Sequence, residues 1–167
     1  PTIPDVASRE PVQRGERRVS VEGPGTTSYL DISYRAPEAT HEDYHAMVLL
    51  DTILGGAKGM SLWGGGTTNR SSRLYRALVD TELAVGVGCG FRPTLDPHLF
   101  SFYATLAPSV SHQVVEDAIW TELSKIQQDG VSTGELDKAI KQTKAQFAYS
   151  SESVTFQAYW LGFSEIV

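Results

Sequence analysis

The 167-residue sequence contains one cysteine, Cys89, which excludes an internal disulfide and any cysteine-rich metal centre. Basic residues are also in short supply: 14 Lys and Arg face 20 Asp and Glu, for a net charge of −6. That balance argues against a nucleic-acid partner, because neutralising phosphates requires a basic face. No run of about 18 apolar residues occurs, so no segment reads as a membrane span. No apolar leader opens the chain. Pro1, Pro4 and Pro11 lie instead in a polar stretch, and residues 1–15 read as a linker or lead-in. What remains, residues 16–167, is the length of one domain, and the hydrophobic share of the whole sequence, 41%, suffices for a real core.

Periodicity along the chain gives the expected elements. Arg17 to Glu22 (RRVSVE) alternates like a strand, GPGTT (23–27) is a turn, and Ser28 to Arg35 alternates again as a possible pairing partner. After Pro37, Thr40 precedes a helical pattern carrying Tyr44, Met47, Val48, Asp51 and Leu54, stopped by Gly55-Gly56. A glycine-rich loop (57–69) with Trp63 leads to a short helix, Arg70 to Asp80. Leu83 to Phe91 and His98 to Leu106 are strands joined by the proline-bearing connector 92–97. Residues 111–130 carry a helical stripe of Val114, Val115, Ala118, Ile119, Leu123 and Ile126. Ser132 and Glu135 form a capping box for the next helix, with Leu136, Ala139, Ile140, Thr143 and Phe147 on its apolar side. Ser150 to Ser153 interrupts it, and a last helix spans Val154 to Val167. The expected fold is α+β: two ββαα-type halves forming a largely antiparallel sheet with helices packed on one face.

One motif poses a chemical question. His41-Glu42-Asp43-Tyr44-His45 matches H-E-x-x-H, in which two histidines one helical turn apart hold zinc and the glutamate polarises its water. A working site needs the helix already formed at the first histidine, and a third ligand. Here His41 falls at the helix start, where Thr40, Glu42 and Asp43 suit a cap and first turn. The next histidine is His98. The cap reading therefore prevails, and a zinc hydrolase built on His41, Glu42 and His45 is the minor alternative. Gly86-Val-Gly88-Cys-Gly90 lies within a strand pattern and lacks the strand-then-helix setting of a dinucleotide site, so it reads as small residues packing under a helix. Gly64-Gly65-Gly66 is not followed by Lys-Ser/Thr, so it is no P-loop. Arg70, Arg73 and Arg76 read as a solvated helix face, Cys89 as a small buried residue, and Ser71 and Ser72 lack a nucleophile elbow. Trp120, Phe147, Phe156, Tyr159 and Trp160 read as core or helix–helix contacts. No catalytic, cofactor-binding or metal-binding residue is assigned.

Several segments together are distinctive: ILGG (53–56), SSRLYRALVDTELAVGV (71–87), HLFSFYATLAP (98–108), the tract 122–147, and Leu161-Gly162. Over residues 16–162 the chain resembles the second, non-catalytic domain of the pitrilysin-like zinc metallopeptidases. The resemblance implies a non-catalytic domain, excised from a longer chain, that helps enclose peptide substrate. It further implies a homologous catalytic domain as partner, in the same chain or another subunit, and zinc in that partner rather than here. Catalysis in the family uses an inverted H-x-x-E-H, which is absent from this sequence. The family's substrate-reaching Arg and Tyr fall near Val79 and Val85. A scaffold subunit without peptidase function is therefore a further alternative.

Overall fold

The computed structural model describes residues 11–58 and 70–166. Residues 1–10 of the expected lead-in, and the part of the glycine-rich loop carrying Trp63 and Gly64 to Gly66, lie outside the described residues. Three antiparallel strands form one sheet in the order β1-β3-β2: β1 (Tyr29–Ala36), β2 (Ala84–Phe91) and β3 (His98–Leu106). Four helices follow the sequence periodicity: α1 (Tyr44–Gly55), α2 (His112–Asp129), α3 (Thr133–Ser150) and α4 (Val154–Ile166). The architecture is α+β, with the helices against one face of the sheet.

Strand alternation explains that arrangement. On β3, Phe100, Phe102, Ala104 and Leu106 are all buried, and the residues between them are not. Register extends this face across the sheet: Ile32 pairs with Phe102 and Phe102 with Cys89, while Leu30 pairs with Ala104 and Ala104 with Val87. Leu54 of α1, Leu74 and Leu78 of the short helix, and Val115 and Ile119 of α2 complete the core. Each such side chain contributes on the order of 1.5–3 kcal/mol by leaving water.

The segment Tyr75–Val79 is a π-helix, a single wide turn closed by Asp80 N–H donating to the Tyr75 carbonyl. Its start is held by Ser72, whose buried hydroxyl accepts from the Tyr75 N–H. The capping box of α3 is present in full: Glu135 N–H donates to Ser132 Oγ, and Ser132 N–H donates to Glu135 Oε2. Helices α1 and α3 meet through Thr52 and Thr143, whose hydroxyls are 3.2 Å apart. Phe156 of α4 stacks on Trp160 and meets Phe147 of α3 edge-on, so these aromatics are helix–helix contacts as expected.

Three expectations need correction. Residues 17–22 form no strand: among the described residues they make no backbone–backbone hydrogen bond, and Val19 and Val21 are each 85% exposed. Alternation alone does not create a strand when the backbone has no ladder and the side chains reach no core, so the first half of the fold contributes one strand. Helix α1 begins at Tyr44 rather than near Thr40, because residues 39–43 fold as turns before it. Val114 and Leu136, placed on buried stripes by periodicity, are exposed, because a single sheet of three strands covers only part of each helix.

The C-terminus of α1 presses directly on β2. A Cβ built on Gly55 would lie 2.7 Å from Cys89 Sγ and 3.3 Å from Cys89 N. Gly55 is thus required for close approach, while Gly56, at φ 87°, ends the helix. Gly55→Ala is expected to destabilise the fold by roughly 1–3 kcal/mol, read as a lower urea midpoint. An unchanged midpoint would show that the α1–β2 contact is loose.

Candidate functional site

The H-E-x-x-H segment straddles a turn. His41 precedes the helix, and its Nδ1 accepts a hydrogen bond from Asp43 N–H at 3.1 Å. His45 is the second residue of α1 and lies edge-on to the Tyr44 ring. With one histidine in a turn and the other on the helix, the two do not occupy successive turns of one helix face. Among the described residues no group of three or more His, Cys, Asp or Glu side chains is gathered for a metal ion. His98, the candidate third ligand, opens β3.

The arginine-rich short helix is not a uniformly solvated face. Arg73 is largely buried and makes a bidentate ion pair with Glu135, Nε to Oε1 at 2.9 Å and Nη2 to Oε2 at 2.8 Å. Arg70 and Arg76 are exposed. Hydrogen bonds from Arg73, with a smaller contribution from Ser132, hold the Glu135 carboxyl down at about 2. One carboxylate thus caps α3 and ties it to the short helix. Cys89 is 1% exposed and donates to Asp51 Oδ1 at 3.2 Å, while the Lys58 ammonium bridges the Asp51 carboxylate and the Cys89 carbonyl. Burial, and then the neighbouring Asp51 charge, push the Cys89 thiol well up, which makes it inert as a nucleophile.

What the helices leave open is the other face of the sheet. Tyr29, Thr105 and Gly86 share one row, followed by Asp31, Tyr103 and Gly88, then Ser33, Ser101 and Gly90. The Ser33 and Ser101 hydroxyls are 2.8 Å apart. Tyr103 lies over Gly88 so closely that a Cβ there would fall 2.3 Å from the tyrosine oxygen. The three glycines, expected to pack under a helix, instead lie on the sheet face away from the helices, where Gly88 gives the Tyr103 ring its bed. Val85, at the register shift beginning β2, is 67% exposed. Val79 ends the π-helix.

Sequence reasoning missed the ion pair between Arg18 and Glu116. Nη1 and Nη2 of Arg18 reach the two Glu116 carboxylate oxygens at 2.9 and 2.5 Å. Glu116 is nearly buried on α2, and this pairing lowers its pKa. The partners are 98 residues apart, so no local pattern announces them.

The sequence profile described as the peptidase M16 inactive domain matches residues 1–143. The chain is 28% identical over 153 residues to zinc protease PqqE of Helicobacter pylori, a match covering 90% of this chain and 32% of that protein. It thus spans about a third of the curated relative's length. A solved protease from Helicobacter pylori superposes with a TM-score of 0.69 at 25% identity, over 80% of this chain and 30% of that one. The inactive peptidase domain of a protein assigned as a zinc protease from Bordetella parapertussis gives 0.67 at 26% identity, over 87% and 73%.

Two measurements check this geometry. After dialysis against zinc, metal analysis is expected to find far less than one ion per chain. One ion per chain, lost in His45→Ala, would establish the site that the geometry disfavours. Because the Glu135 carboxyl is held below its unfolded value, its stabilisation is complete above about pH 4.3 and disappears as pH falls through about 2. Glu135→Gln is expected to flatten the acid limb of the stability curve in that window; an unaltered limb would remove the Arg73–Glu135 pair from the account.

Proposed function

The chain belongs to the peptidase M16 inactive-domain family, and from that membership we propose that it encloses and positions peptide substrate beside a homologous catalytic peptidase domain. The observation that carries this reading is the uncovered sheet face, where Ser33, Ser101, Thr105 and Tyr103 surround a glycine-paved strand. A surface of hydroxyls, one aromatic ring and accessible backbone suits contact with extended peptides of many sequences. Such a domain supplies orientation and water exclusion, while the nucleophile and the zinc belong to the catalytic domain, in the same parent chain or in a partner subunit.

The scaffold alternative draws on one feature. Val79 and Val85 occupy the places where the resemblance expects an arginine and a tyrosine reaching substrate, and valine offers no hydrogen bond. The enclosing role then depends on the sheet itself rather than on those two side chains.

Reconstitution separates the readings. This chain alone is expected to hydrolyse no peptide. Added to the catalytic domain of its parent protein, it is expected to raise kcat/KM by at least about tenfold. Equal rates with and without it would favour the scaffold. Chelator-sensitive hydrolysis by this chain alone would favour the His41–Glu42–His45 hydrolase.

A further inference from the structure

The sheet is irregular where β2 begins. Ala84 pairs with Leu106 and Gly86 with Thr105, so Val85 is an extra residue between them, a β-bulge. Ala84 lies in the core and Val87 packs against it, whereas Val85 is 67% exposed and Gly86 stands opposite Thr105. The bulge thus places two consecutive residues on the side of the sheet away from the helices. One of them is an apolar side chain that its own backbone turns to solvent.

Val85 borders a cavity of about 530 Å³, formed where the turn before β1, the start of β2 and the loop from β3 into α2 come together. Ligand pockets span roughly 300–1,000 Å³. The backbone fixes its frame: Leu106 N–H donates to the Ser28 carbonyl at 2.9 Å, and Ala107 N–H to the Leu83 carbonyl at 3.1 Å. Within the loop, Ser109 is held at φ 69°, the left-handed region that side chains disfavour, and Val110 N–H closes a turn onto the Ala107 carbonyl. A bulge and a strained serine therefore meet at one hollow. Thr105 lines it and also belongs to the open face.

The lining decides what the cavity takes. None of its residues is ionisable, so a charged group entering it would lose water and gain no counter-ion. Val85, Pro108 and Val110 contribute apolar walls, and Ser28, Thr105 and Ser111 contribute hydroxyls. Ser111 precedes α2, yet its side chain makes no cap hydrogen bond, and among the described residues no protein group engages the other two hydroxyls. An aliphatic side chain would cover those hydroxyls without bonding to them. A phenol or an indole has an apolar body and a polar edge, and so matches both parts of the lining. We propose that this cavity receives a neutral aromatic side chain, tyrosine or tryptophan, of a peptide lying on the open face, with Val85 as the residue that sets the selection. The inference rests on the enclosing role proposed above and adds the side chain that the domain selects.

The test titrates the isotopically labelled 167-residue chain with N-acetyl-L-tyrosinamide, and with the leucine and lysine analogues for comparison. The tyrosine probe is expected to shift the amide signals of Ser28, Val85, Thr105, Ser109 and Ser111 saturably. It is expected to bind at least about tenfold more tightly than the lysine probe, with the leucine probe between them. Val85→Trp fills the cavity from an exposed position and is expected to weaken tyrosine binding by at least about tenfold, against at most about threefold for Val85→Ala. Slow exchange of the β3 core amides certifies the fold of each variant. No saturable shift at these amides, equal affinity for the tyrosine and lysine probes, or undiminished binding by folded Val85→Trp overturns the inference. Selective docking without a rate gain on reconstitution would remove the enclosing role and leave the cavity standing; a rate gain without docking would do the reverse.

Discussion

Much of this domain follows from one constraint: among the described residues, α1, α2 and the short helix cover one face of the three-stranded sheet. Phe102 is the centre of that packing. It lies in the middle strand, flanked by Ile32 and Cys89, with Phe100 and Tyr34 rings beside it. The burial of Leu54, Leu74, Leu78 and Ile119 in the same cluster fixes which side the helices occupy. Among the described residues no helix covers the opposite face, which presents hydroxyls, glycines and Tyr103.

Electrostatics ties the helices to this frame at three places, and each pair joins distant segments. Arg73 and Glu135 link the short helix to the start of α3. Asp51 and Lys58 bind the end of α1 to the β2 backbone. Arg18 and Glu116 hold the lead-in against α2. The Arg73–Glu135 and Asp51–Lys58 pairs are partly shielded, which separates them from the weak ion pairs of open surfaces, whereas the Arg18 side chain is 63% exposed. None of them gathers groups for nucleophilic or metal chemistry, and the buried Cys89 thiol is held neutral.

Much of this was legible from local pattern. The strand alternation of 83–91 and 98–106, the capping box at Ser132, and the glycine stop of α1 are statements about neighbouring residues, and neighbours determine them. The family resemblance drew on the same segments. The misreadings share a cause: Arg17–Glu22 has the alternation of a strand but no partner edge, and Val114 has helical phase but no sheet beneath it. Ladder formation, coverage and ion pairing across 62 or 98 residues are tertiary facts that a one-dimensional period does not contain.

Photo-crosslinking from a bound peptide probes the central claim most directly. A benzophenone-bearing peptide trapped in the parent protein should form adducts on the open side of this domain, at β1 and the Tyr103 face. Adducts confined to the outer helix surfaces, or none on this domain while the catalytic domain is labelled, would contradict the account.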